Sequence, residues 1–244
     1  MRSDFLGVPV DLLDLEETRR RAEEAMRLRR HLQHVALNVA KFVYMQKNQE
    51  LRDDVLTSDI IGIDGMGIVL AARLFGIRVP ERVAGVDLME RVLATCAAKG
   101  YHPYFLGATE KSLSGALHNL RMQFPSLEIA GAQHGYYPRE SEADVVAAIR
   151  ASKADCLFIG TPTPHKERFL AAHRDTINVP FVMGVGGGID ILARITKRAP
   201  VWMQRIGLEW LYRIMQEPRR TWKRYLTTNM AFAAIIAKAA FRRL

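Results

Sequence analysis

Short β-branched runs alternate with stretches of helical period along most of this chain, and that alternation limits the folds open to it. Runs of roughly four to eight residues alternate with helical stretches of roughly ten to fifteen. In order they read SDIIGIDG, MGIVLAARLFG, GVDLMERVLATCAAKG, YHPYFLG, KSLSGALHNLRMQF, LEIAGAQHG, SEADVVAAIRASK, ADCLFIG, RFLAAHRDTI and PFVMGVGG. Strands that are apolar on both faces need helices on both faces. The pattern therefore predicts an α/β fold, a Rossmann-like, mostly parallel sheet flanked by helices. Ahead of this series, residues 11–32 are expected to form one helix. HVALNVAKFVYM is expected to begin as a strand and pass into a helix running on through QKNQELRDDVL.

Several of these strands end in Gly or Asp-Gly just before a helix. In open parallel sheets the ligand lies beyond the carboxyl ends of the strands, where helix N-termini favour phosphate. The expectation is a nucleotide-binding type of domain.

Length and composition fit that picture: 244 residues, 49% hydrophobic and 25% charged, are enough for a sizeable core and argue against wholesale disorder. Cys96 and Cys156 each sit in apolar surroundings and are expected to be buried free thiols of a reducing compartment. No run reaches the roughly 18 to 20 apolar residues of a membrane-spanning helix, and no signal peptide is apparent, so a cytoplasmic location is expected.

The net charge of +9 is unevenly placed. From residue 205 onward nine cations face only Glu209 and Glu217, so this segment carries seven of the nine excess charges. A basic tail on a nearly neutral body points to an anionic partner, whether phospholipid, nucleic acid or phosphorylated substrate. Its arginines are interleaved with Trp202, Trp210, Tyr212, Trp222 and Tyr225, a mixture suited to the lipid interface. RNA binding or a plain solvated helix would use similar residues. The shift in composition near residue 196 divides the chain into a core, 1–195, and a basic, helical C-terminal appendage, 196–244, expected to associate with the membrane.

Three segments can carry chemistry. Asp64 ends the strand DIIGID beside Gly65, which suits a general base acting on a hydroxyl. It would equally suit the N-cap of the next helix, and the residues alone favour the cap. GVGGGID, containing Gly186, Gly187 and Asp190, reads as a phosphate loop or a tight turn; Ile189 stands where a dinucleotide fingerprint needs its third glycine. TPTPHKE presents Lys166 and Glu167 after the strand CLFIG, either to a ligand or to solvent. No HExxH or D-x-D pattern is present, so no metal site is expected. A departing diphosphate would then need arginines, lysines or backbone amides.

With these residues in view, the chain resembles the WecG/TagA/CpsF glycosyltransferases of bacterial cell-surface polysaccharide synthesis. The resemblance runs over nearly the whole chain. It is carried by IDGMGIVLAARLFG, ERVAGVDL, YFLGATE, the GYY at Gly135–Tyr137, the P-x-K-E of Pro164–Glu167, and VGGGIDILARITKRAP followed by GLEWLYRIMQEPRR. It implies inverting, metal-independent transfer from a UDP-sugar to a polyprenyl-diphosphate-linked sugar at the membrane surface. It also implies that Asp64 is the catalytic base, reversing the preference for a cap. Asn38 would lie near the acceptor sugar, with Lys166 and Glu167 in the sugar pocket. UDP would lie near Gly107, Gly135, Tyr136, Gly186, Gly187 and Asp190, with its diphosphate held by Arg213 and Arg219 or Arg220.

Two positions depart from the family's pattern. Ala36 stands where threonine is usual, and Lys166 where glutamine is usual in P-K-Q-E. The donor sugar is therefore left open between N-acetylmannosamine and a hexose such as glucose. Expected partners are the donor, the lipid-linked acceptor and an anionic membrane surface, with no nucleic acid; a homo-oligomer is compatible with the sequence. Two rivals are an NAD-dependent oxidoreductase, opposed by the broken glycine fingerprint, and a non-catalytic membrane- or RNA-binding protein.

Overall fold

The computed structural model describes residues 1–242, apart from the side chain of Arg220. The chain opens with a hairpin of β1 (Arg2–Phe5) and β2 (Val8–Asp11), antiparallel and absent from the sequence reading. Alternation places Val8 and Val10 in the core. Helix α1 spans Leu15–Leu28, shorter at both ends than the 11–32 expected. Its N-terminus is set by the Asp14 carboxylate, which accepts the Glu17 N–H, and it ends at Arg29 in the left-handed region.

The strand-to-helix reading of HVALNVAKFVYM holds as β3 (Leu32–Leu37) and α2 (Val39–Met45), but the helix does not continue. Asn48 starts a separate α3 (Gln49–Leu56) by accepting the Leu51 N–H. The predicted series follows: β4 (Ile60–Ile63), α4 (Met66–Leu74), α5 (Gly85–Lys99), β5 (Pro103–Gly107), α6 (Glu110–Gln123), β6 (Gly131–Gln133), α7 (Glu142–Ala151), β7 (Cys156–Gly160), α8 (His165–His173) and β8 (Phe181–Gly184). Four helices complete it: α9 (Gly188–Leu192), α10 (Val201–Arg205), α11 (Glu209–Gln216) and α12 (Pro218–Phe241).

The main sheet has six parallel strands in the order β4-β3-β8-β7-β5-β6. The last strand, β8, thus sits centrally between β3 and β7. Loops from distant parts of the chain therefore meet over one stretch of sheet edge. The β4 side is covered by the hairpin, where Asp11 accepts the Ile61 N–H at 2.8 Å and Arg2 donates to the Asp59 carbonyl.

Helices pack on both faces. Along β7, Cys156 and Phe158 face a cluster built with α1, α5, α6 and α9, while Leu157 and Ile159 face α7 and α8. Cys96 and Cys156 are buried free thiols, as expected, with sulfurs 3.6 Å apart. A third cluster joins β3 and β4 to α2, α3 and α4, and takes Phe232 from α12. The Phe232 ring stands edge-on to Phe42 at 5.7 Å. The basic tail is helical, as expected, and its last helix lies on α2.

Candidate active site

A cleft of about 440 Å³ opens at the carboxyl ends of β3, β4, β7 and β8, and residues of α11 and α12 form its far wall. Asn38, Asp64, Lys166, Gly186, Gly187, Asp190 and Arg213 all line it. Residues far apart in sequence thus converge where the parallel sheet predicts a ligand.

Asp64 follows β4, its N–H bonded to the Leu37 carbonyl. It does not cap α4: the N-cap is Gly65, with no side-chain cap bond. A side chain at Gly65 would crowd Asn38, its Cβ 3.3 Å from the Asn38 Cα, so glycine lets the two strand ends approach. Relieved of capping, the Asp64 side chain stays 28% exposed at the cleft. Burial raises its pKa; Arg82, with Nη1 4.0 Å away, opposes the rise, and Glu209 adds to it. Arg82 also donates to Glu209 on α11 at 3.0 Å, tying the tail to the strand that carries Asp64. Nearby, Gly207 (φ +80) precedes α11, and a side chain there would meet Met66.

The glycine loop after β8 leaves α9 without a side-chain cap. A Cβ on Gly187 would lie 3.4 Å from the Arg213 guanidinium, so this arginine of α11 hangs directly over the loop. Backbone amides at a helix start and a guanidinium above them form a pairing that receives an anion. Asp190 lies within α9 and lines the cleft rather than capping.

The TPTPHKE segment is not a solvated turn. Its last residues begin α8, and Lys166 and Glu167 are both buried. Glu167 Oε1 lies 2.9 Å from Lys166 Nζ and 2.9 Å from Lys41 Nζ. Burial would raise the Glu167 carboxyl, but Lys41 and Lys166 outweigh it and hold the pKa at about 2. Burial, reinforced by Lys41, pulls the Lys166 ammonium down to about 8 against the pull of Glu167. Glu167 lies under the cleft, beneath the lysines that line it.

Other expected residues fall outside the lining. Gly107 (φ +122) and Gly135 stand one layer behind: a Cβ on Gly107 would be 2.7 Å from Gly160, and one on Gly135 3.0 Å from the Gly107 Cα. They allow the loops after β5, β6 and β7 to close up. Tyr136 is 76% exposed in a separate recess with Thr109, Glu110 and His134. Arg219 is exposed and does not line the cleft, and the Arg220 side chain lies outside the described residues. The sequence reading missed Lys41, Arg82, Thr163 and Glu209, all cleft residues; for Arg82 the only sequence signal was its place in ERVAGVDL. Among the described residues, no group of three or more His, Cys, Asp or Glu side chains is placed to hold a metal ion.

A cleft at the carboxyl edge of a parallel sheet, with a carboxylate free of capping duty facing several cations, defines the class as an α/β group-transfer enzyme. A model of the glycosyl transferase family WecG/TagA/CpsF matches residues 3–244. A Bacillus subtilis (strain 168) protein named N-acetylglucosaminyldiphosphoundecaprenol N-acetyl-beta-D-mannosaminyltransferase is 32% identical over 181 residues, 74% of this chain and 70% of that protein. A protein of the same name from Bacillus spizizenii (strain ATCC 23059 / NRRL B-14472 / W23) is 31% identical over 180 residues, 74% and 69% of the respective chains. The chain belongs to the WecG/TagA/CpsF family and is a glycosyltransferase.

Proposed function

We propose that the enzyme transfers a hexose or N-acetylhexosamine-type sugar from a UDP-sugar to a polyprenyl-diphosphate-linked sugar, with inversion and without a metal ion. The observation that carries this reading is Asp64, uncapped, at the cleft beside Arg82, with a pKa raised by burial. Asp64 takes the proton of an acceptor hydroxyl as that oxygen bonds to the anomeric carbon. The bond from that carbon to the diphosphate oxygen breaks on the opposite face, and UDP departs. One displacement gives one inversion.

The leaving diphosphate's charge is taken up by Arg213 and by the Gly187 amide beneath it. The relatives' names support the lipid-linked acceptor. The tail supports a membrane-surface setting. Trp202, Met215, Trp222, Leu226 and Met230 are exposed hydrophobics, and Lys223 and Arg224 lie over aromatic rings beside them. No described helix is long and apolar enough to cross a membrane.

Asp64→Asn keeps the shape and removes the basicity. Turnover should fall about 10²- to 10⁴-fold while UDP binding by calorimetry stays within a few-fold. Near-normal turnover would refute the base, and wild-type turnover lost on adding a chelator and regained with a divalent cation would refute metal independence.

A further inference from the structure

Helix α4 leaves one apolar stripe uncovered. Its inner side is buried in the core through Ile68, Val69, Ala71 and Ala72. On its outer side Leu70 and Leu74 are 58% and 65% exposed, one helical turn apart, with exposed Arg73 beside them. Exposed leucines are ordinary when scattered singly. These two belong to a band.

The first position of the stripe is covered by the tail. A Cβ on Gly207, in the turn between α10 and α11, would fall 2.8 Å from the Met66 Cγ. Met66, Leu70 and Leu74 follow one another at helical spacing, so the turn rests on the same face of α4 that continues outward bare. Next to Gly207, Ile206 is 59% exposed, and Trp202, one turn earlier, is 60% exposed. Trp202, Ile206, Leu70 and Leu74 thus form an apolar band that crosses from the tail onto the core. Met66 also lines the cleft, so the band passes its rim.

Charge decides what covers the band. Between residues 65 and 80 the chain has no acidic residue and two cations, Arg73 and Arg78, both exposed. Glu81, next along the chain, is turned away to accept the Leu15 N–H. Arg205 adds a further exposed cation beside Ile206. A second copy meeting this face about a two-fold axis would set these cations against their own images. An anionic lipid surface would neutralise them and bury the leucines in the same step.

We propose that the outer face of α4 is a second membrane contact, continuous with the tail, through which the core itself docks on anionic lipid and brings the cleft rim to the bilayer. This rests on the membrane-surface setting proposed above. The test uses the full chain and sedimentation with vesicles of phosphatidylcholine, alone or mixed with phosphatidylglycerol. Leu70→Ser combined with Leu74→Ser should weaken binding to the mixed vesicles about tenfold. Arg73→Gln combined with Arg78→Gln should weaken it on the mixed vesicles only. All four side chains are exposed and none lines the cleft, so urea unfolding and transfer to a water-soluble acceptor should match wild type. Cys96 and Cys156 are buried, so Leu74→Cys can be labelled selectively with a polarity-sensitive maleimide dye. Its emission should shift to the blue on the mixed vesicles, and that of Arg150→Cys, at the far end of α7, should not.

Undiminished binding of the leucine variant, or a dye at position 74 that stays in water while the protein is bound to vesicles, would overturn the proposal and leave the tail as the membrane contact. A dye that shifts without vesicles as protein concentration rises would assign the face to a second copy, and also overturn it. Wild-type protein that binds neither kind of vesicle would refute this contact and the membrane setting together.

Discussion

Replacing Glu167 by Gln leaves two ammonium groups facing each other in the protein interior, and the cost can be worked from the wild-type site. A carboxyl held at about 2 instead of 4.5 contributes about 3 kcal/mol at neutral pH, a contribution present above its unfolded value and lost as pH falls through about 2. An ammonium lowered from 10.5 to about 8 costs the fold about 3 kcal/mol, a cost present below about 8 and relieved as pH rises toward 10.5. The two act in opposite directions, and breaking the cluster by removing its one anion is expensive. Removing the single anion of such a buried group costs about 3–5 kcal/mol. For a chain of this size that lowers Tm by roughly 6–20 °C at pH 7. Because the cost is carried by buried ammoniums, the deficit should shrink by half or more at pH 9.5. Lys166→Met leaves a one-to-one Lys41–Glu167 pair and should change stability by less than about 1 kcal/mol or raise it. Urea unfolding of the three proteins at both pH values is the assay. Equal destabilisation by the two variants, or a Glu167→Gln deficit that ignores pH, would refute the reasoning.

Further outcomes follow from other contacts. Phe232→Ala removes the ring that seats α12 on Phe42 and should cost about 3 kcal/mol. Faster hydrogen exchange should be confined to α12, and exchange spread evenly through the sheet would contradict the assignment. Gly107→Ala combines φ +122 with a Cβ 2.7 Å from Gly160 and should cost at least about 2 kcal/mol in urea unfolding; a loss under about 0.5 kcal/mol would show that β5 and β7 can part freely. The base must be ionised, and burial raises the Asp64 pKa. On lowering the pH, kcat/KM should therefore fall with a midpoint above the usual aspartate value of 3.8. A midpoint at or below that value would place Asp64 in a less dehydrated site.

The parallel α/β core was legible because strand and helix periods are local properties of the chain. Asp64, Gly186, Gly187 and Asp190 stood out because glycines and carboxylates at strand ends mark the edge where such sheets bind ligands. The opening hairpin was not legible: four-residue strands are too short to establish a period, and Asp11 reads as helix until its carboxylate is seen accepting the Ile61 N–H. The break between α2 and α3 depended on one capping bond at Asn48.

By itself, then, the sequence determined the layers, the edge of the sheet where the cleft opens, and a cationic, aromatic helical tail, since each follows from the order of apolar, small and charged residues. Only the tertiary structure decided that Gly65 and not Asp64 heads α4, that Arg82 spans 127 positions to hold Glu209, and that Lys41 and Lys166 close on one carboxylate. The physical reason is that burial and charge pairing at a site are set by whichever strands become neighbours. Here the last strand inserts between β3 and β7, and no local period encodes that choice.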